Sequence, residues 1–277
     1  MDSQQQTRTV VRELAKQYER IADDLRARIR AKEYAPGERI PTEDALKTHY
    51  KVSAPTIRQA VGVLEAEGLV QRQHGRGSFV RKPRQRVQRT TERYQWEKDR
   101  VKLSEAERGT TGATEHDTGR EMSALEFFAS YDSMPANADL AAVFDVPEGT
   151  KLLHRVYRTG IKTEDAPLSL VDSYMVHDVA ARNPDLLLAD NEPWPGGTQH
   201  QLYTIGVELD HIREELTARP PTAYEAEQLE LSAGTAVVAL RKISVATTGD
   251  VVELSDVVLP GDRTVAVYTA QLVRWEG

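Results

Sequence analysis

Val52–Val80, VSAPTIRQAVGVLEAEGLVQRQHGRGSFV, is the stretch from which the fold follows. Ser53 suits a helix start, because its side-chain oxygen can accept from the free N–H groups of the first turn. Pro55 falls in that turn, where its missing N–H costs nothing. Ile57, Val61, Val63 and Leu64 recur at helical spacing, and Gly68, after Glu65 and Glu67, marks the stop. An alternating run from Leu69 to Val80 is broken at His74-Gly75-Arg76-Gly77, which predicts a hairpin tip. One helix followed at once by a basic-tipped hairpin predicts a winged helix-turn-helix.

The placement of polar residues points to DNA. Thr56, Arg58 and Gln59 gather in the first half of the helix, the end that enters the major groove in such motifs. Arg58 can fork onto a guanine edge or clamp a phosphate. Arg76 stands between two glycines, so its backbone can approach a sugar-phosphate chain closely. From Val70 through Arg89 there are seven Lys or Arg residues and no acid. The net charge of −7 looks wrong for a DNA binder until it is divided. Residues 1–90 hold 19 basic against 11 acidic residues, a net +8, and the rest hold 17 against 32, a net −15. A basic nucleic-acid module joined to an acidic partner fits that asymmetry, since local charge steers a protein to phosphate.

Upstream, Tyr18, Ile21, Ala22, Leu25 and Ile29 form one apolar stripe, which predicts a first helix, with residues 1–16 fraying. Pro36-Gly37 ends it, and Pro41-Thr42 opens a second helix carrying Ala45, Leu46 and Tyr50. Tyr18 and Tyr50 read as packing residues.

GERIPTEDAL, VSAPTIRQAVGVLEAEGLV and HGRGSFV together resemble the DNA-binding domain of the GntR family of bacterial transcription regulators, from about Tyr18 to Val80. The resemblance implies that Ser53, Thr56 and Arg58 touch phosphate or bases, and that His74, Gly75 and Arg76 form a wing reaching toward the minor groove. Asp44 and Ala54 stand where many members carry arginine, which implies a shifted affinity or operator.

The domains expected are a winged helix-turn-helix at 1–80, a linker at 81–118, and a second domain at 119–277. The linker expectation rests on polarity and on the low-complexity run ERGTTGATEHDTG, with Tyr94 and Trp96 anchoring it to a domain surface. Beyond it, alternating segments predict strands near 124–133, 151–162, 167–177, 208–218, 235–247, 251–259 and 265–274. Short helices are predicted near 137–144, 179–188, 198–205 and 221–229. Tight turns at Thr163-Glu164-Asp165-Ala166 and Thr248-Gly249-Asp250 make their flanking strands antiparallel neighbours. The expected class is therefore a multidomain α+β chain whose second domain is an antiparallel sheet with helices on one side.

ADLAAVFDVPEGTKLLHRVYRTG, APLSLVDSYM, AYEAEQLELSAGTAVVALRK and GDVVELSDVVLPGDRTV are similar to the UTRA effector-binding domain of the HutC subfamily, whose fold resembles chorismate lyase. The resemblance implies a ligand site using Arg158, Ser173, Glu253 and Ser255, with Arg155 on the opposite face of its strand. Val156 and Val171 replace an arginine and an acid common in the family, so one anionic-group clamp is lost and a phosphosugar effector is disfavoured.

The composition, 39% hydrophobic and 29% charged, is that of a globular chain. No apolar run approaches the roughly 20 residues of a membrane span, and MDSQQQTRTV lacks a signal-peptide core. Cysteine is absent, excluding disulfides and thiolate chemistry. The seven histidines are scattered, without an HExxH zinc motif, and neither a GxSxG nor a Walker loop occurs. No catalytic site, metal or cofactor is expected. The function read from the residues is a cytoplasmic transcription regulator, a repressor. It would bind a pseudo-palindromic operator in double-stranded DNA as a homodimer and answer to a small-molecule effector, without a membrane partner. The alternatives are a C-terminal domain that only dimerises, and a lyase-like enzyme.

Overall fold

Ile21, Ala22, Leu25 and Ile29 are all buried on one side of α1 (Ser3–Arg30). The computed structural model describes residues 3–270 and 272, apart from 74, 83, 111 and 165. The chain divides into two units with the change falling after Arg84, and Leu231–Thr235 groups with the first.

In the first unit the α1 stripe meets Leu46 of α2 (Glu43–Tyr50) and Ile57, Ala60, Val61 and Leu64 of α3 (Ala54–Ala66). Each such aliphatic side chain, once buried, contributes about 1.5–3 kcal/mol. Tyr18 and Tyr50 pack against this core as half-buried residues. Thr42 caps α2, its Oγ1 accepting from the Ala45 N–H at 3.2 Å. Lys51 then adopts a left-handed conformation (φ 54°), turning the chain into α3. Val70 and Val80 close the core from β1 (Val70–Gln73) and β2 (Gly77–Val80), an antiparallel hairpin with Val70 opposite Val80 and Gln73 opposite Gly77. The segment before α2 adds to this hairpin, with the Ile40 N–H donating to Ser78 and the Val80 N–H to Glu38. Helix α1 begins well before the apolar stripe that predicted it.

The second unit is built on six antiparallel strands: β4 (Leu125–Pro135), β5 (Lys151–Ile161), β6 (Ser169–Val176), β7 (Leu209–Arg219), β8 (Val237–Ala246) and β9 (Val251–Pro260). Their spatial order is β4-β5-β6-β9-β8-β7. Strand alternation gives the sheet two faces. On one, Leu152, Ile243 and Leu254 pack under α7 (Ala138–Phe144) through Leu140, Ala141 and Phe144. On the other, Leu153 and Met175 pack with Ala180 of α8 (His177–Ala180) and Leu202 of α9 (Gly197–Thr204). Helices therefore cover both faces, not one as expected. The neighbours Leu152 and Leu153 are both buried, which period-two alternation with one covered face cannot produce.

The expected linker is also different. Within it, β3 (Val87–Thr90), α4 (Glu92–Arg100), α5 (Glu105–Arg108) and α6 (Ala113–Thr118) form part of the second unit from Gln85 onward. The last predicted strand is short: β10 (Thr264–Val267) leaves the main sheet and pairs in parallel with β3, while 271, 273 and 274 lie outside the described residues. What holds this segment is polar. Arg89 and Glu214 form an ion pair at 2.6 Å with both side chains largely buried, and Tyr94 Oη donates to the same carboxylate. Arg93 pairs with Asp117, and Gln199 Nε2 donates to the Tyr94 carbonyl at 2.8 Å. Trp96 lies against the His116 ring, 4.8 Å between centroids. Contacts of this kind leave no apolar stripe to read.

Candidate functional site

Two places carry chemistry, one in each unit. In the first unit, Pro55 sits in the opening turn of α3 behind Ser53. The Ser53 hydroxyl makes no capping bond to the backbone; it bonds the Thr56 hydroxyl at 2.9 Å instead. Thr56 is only 5% exposed, so its expected role as a DNA contact is corrected. It lies on the core side of α3, beside Ile57, and fixes Ser53 rather than reaching outward.

Ser53, Arg58 and Gln59 are exposed. Arg58 has 62% of its side chain in solvent, and its Nε donates to Glu43 Oε2 of α2 at 2.9 Å. A solvent-exposed pair of this kind is worth about 0–1 kcal/mol, so it pre-positions Arg58 without locking it away from a phosphate or base. From β1, Arg72 donates to the Arg58 carbonyl at 2.9 Å and pairs with Glu65. At the hairpin tip Gly75 and Arg76 are exposed, and the Arg76 N–H closes the turn onto the Gln73 carbonyl at 2.9 Å. Gly77 has φ 115°, and a Cβ there would stand 2.5 Å from the Arg39 guanidinium, so the wing needs glycine at this position. His74, named with the wing, lies outside the described residues.

In the second unit a cavity of about 300 Å³ opens on the sheet face opposite α7. Cross-strand register brings Arg155, Ser173 and Ser255 side by side, with Lys242 next to Ser255 and Ser244 next to Glu253. Arg155 is fully buried. Its Nη2 donates to Ser173 Oγ at 2.7 Å and Glu253 Oε1 at 2.9 Å, and its Nη1 donates to Gln201 Oε1 at 2.8 Å. Lys242 Nζ lies 2.9 Å from Glu253 Oε2, which also accepts from Ser244 at 3.0 Å. Burial by itself would raise the Glu253 carboxyl, but the charges of Lys242 and Arg155 outweigh it and hold the group at about 2. Beside this cluster, Glu192 accepts from the hydroxyls of Tyr131 and Tyr157 and from Gln201 Nε2, the last at 2.9 Å. Burial pushes the Tyr157 phenol well above its ordinary range, so it stays a donor.

Ser173, Glu253 and Ser255 are thus gathered as expected, but Arg158 is not among them. It lies on the other sheet face, where its Nη2 donates to Tyr224 Oη at 2.6 Å and its Cζ stands 5.6 Å from the Phe128 ring centroid. The two arginines do face opposite ways, and it is Arg155 that lies on the cavity's side of the sheet, buried behind the lining residues Glu253 and Ser255. The sequence reading also passed over Lys242, Ser244, Tyr157, Glu192 and Gln201. The available signal was the pair of alternating sets Arg155-x-Tyr157 and Lys242-x-Ser244, which share parity with Glu253-x-Ser255 once the strands are paired.

An exposed polar helix start beside a basic hairpin fits a DNA-binding module, and the second unit adds a cavity lined by both charged and apolar side chains. The model of the gntR family of bacterial regulatory proteins matches residues 17–80, and that of the UTRA domain matches residues 128–264. The chain is 30% identical over 254 residues to an uncharacterized HTH-type transcriptional regulator of Streptomyces coelicolor, covering 90% of each chain. It is 24% identical to the HTH-type transcriptional repressor NagR of Bacillus subtilis, over 91% of this chain and 93% of that one. A crystal structure assigned to a GntR-family transcriptional regulator superposes with a TM-score of 0.62 at 24% identity, over 93% of this chain and 98% of that one, which supports the fold. The protein belongs to the GntR family of bacterial regulators and carries a UTRA domain. It is a DNA-binding transcriptional regulator controlled by an effector, not an enzyme. Among the described residues no helix is long and apolar enough to cross a membrane.

Proposed function

We propose that this regulator is a cytoplasmic repressor that reads a pseudo-palindromic operator as a homodimer. On this reading α3 enters the major groove through Arg58, Gln59 and Ser53, while Gly75 and Arg76 of the wing follow the adjacent backbone or minor groove. The observation that carries it is the exposure of Ser53, Arg58 and Gln59 at one end of α3, in a unit that also presents the exposed hairpin tip at Gly75 and Arg76. The cavity beneath α9 is the effector site on the same reading. The effector controls DNA binding only insofar as it prefers one of two dimer arrangements.

A salt-dependent mobility-shift titration on promoter and scrambled duplexes tests the DNA half. A preference for the promoter and a steep loss of affinity with salt are expected. Equal, salt-independent binding to both duplexes would overturn it. Arg58→Ala should weaken operator binding by about 1–3 kcal/mol at fixed salt. Unchanged affinity would remove Arg58 from the interface. Ala54→Arg, at the half-buried opening position of α3, should instead tighten binding, and the same titration reads it.

A further inference from the structure

We infer that the effector is a small organic anion, a carboxylate or phosphate on an apolar body, whose charged group is held by Arg263. This inference rests on reading the cavity as the effector site.

The cations around the cavity are not equally available. Arg155 and Lys242 are both spent on Glu253, and Arg155 is further bonded to Ser173 and Gln201. Arg93 is paired with Asp117, Arg89 with Glu214, and Arg108 donates to the Pro195 and Leu103 carbonyls. Arg263 differs. Its side chain is 1% exposed and lines the cavity, and among the described residues Nε and Nη1 lack a hydrogen-bond partner while Nη2 reaches only the Glu164 carboxylate. A buried guanidinium with two of its three nitrogens unmet is costly, and such a group calls for a partner that completes it. Its ionic neighbour among the described residues is Glu164, whose Oε2 lies 2.8 Å from Nη2 and whose side chain is 27% exposed.

Backbone pairing fixes where Arg263 stands, since its carbonyl accepts from the Val87 N–H at 2.7 Å where β3 and β10 begin to pair. The same cavity is lined by the apolar side chains of Val87, Phe127, Leu168, Val171, Val257 and Leu259 among its polar ones. The hydroxyls of Thr159 and Ser169, from facing positions on β5 and β6, supply further polar contacts. A volume of about 300 Å³ lies at the small end of ligand sites, which run from roughly 300 to 1,000 Å³. A planar guanidinium fork matches carboxylate and phosphate oxygens two at a time, and an apolar body then fills the wall. Glu164, partly in solvent, is the internal anion that the ligand displaces.

The test is calorimetric titration of the full chain with benzoate, phenylacetate and phenyl phosphate, alongside benzamide and phenylacetamide as uncharged isosteres. The anions should bind tighter than the amides by about tenfold or more, because the amides leave the donors unmet. The carboxylates against the phosphate then distinguish the two head groups. Arg263→Gln should erase the difference between acid and amide, and Glu164→Gln should tighten the anions while leaving the amides unchanged. Should Arg263→Gln fail to fold, the wild-type preference and the Glu164→Gln effect decide. Amides binding as well as or better than the acids would overturn the anion assignment while leaving the cavity as a ligand site. Binding of neither class would overturn both.

Discussion

Glu253→Ala should destabilise the second unit by about 3–5 kcal/mol, the usual cost of leaving buried charge without its counter-ion. The carboxylate, 2% exposed, is the common partner of Arg155 and Lys242 and also accepts from Ser173, Ser244 and Ser255. Removing it strands a fully buried guanidinium beside an ammonium. Urea unfolding of the full chain, followed by amide exchange in β5, β6, β8 and β9, measures the loss. An unchanged midpoint for these strands would show that the cluster is not a structural keystone.

The same group fixes a pH response. An unfolded glutamate titrates near 4.3, and Glu253 in the folded chain is held at about 2. Its folded value is depressed, so its contribution is fully present above the unfolded value and disappears as pH falls from about 4 to about 2. The wild type should lose stability across that window, and Glu253→Ala should lose correspondingly less. Parallel melting curves for the two proteins between those pH values would contradict the assignment.

Glu214→Ala should release the segment that joins the winged helix to the sheet. Glu214 is the shared acceptor of Arg89 and Tyr94, and burial raises the Tyr94 phenol well above its ordinary range so that it remains a donor. Without the carboxylate, a mostly buried Arg89 is left with the phenol alone, at a cost of about 2–4 kcal/mol. Amide exchange in α4 and α6 should speed up while that of α1 and α3 stays unchanged. Equal protection of α4 and α6 in variant and wild type would mean that other contacts dock the segment.

These two variants bear on what could be read before folding was known. The winged helix was legible because local rules agree there: Pro55 in a first turn, Gly68 at a stop, glycines at a hairpin tip, and an apolar stripe that needs a partner. The strands of the second unit were legible for the same reason, since alternation and turn residues act over a few positions. The docked segment was missed because its anchors are ion pairs and hydroxyls, and Arg89 meets Glu214 across 125 positions of sequence. Thr56 was misassigned because helix position alone does not say which way a short polar side chain faces. It is 5% exposed, while Arg58 two residues on is largely in solvent.

The sequence by itself determined the winged helix, the sheet strands and the charge division, consequences of periodicity and near neighbours, while the grouping of Glu253 with Ser255 was implied by the resemblance to the UTRA domain. Only the tertiary structure decided that Arg155, not Arg158, shares the cavity's face of the sheet, and that Lys242 and Glu192 line the cavity. Parity along one strand says which residues share a face, but only the pairing of strands says which face encloses the cavity. Only the folded arrangement says which buried cation keeps donors unmet among the described residues.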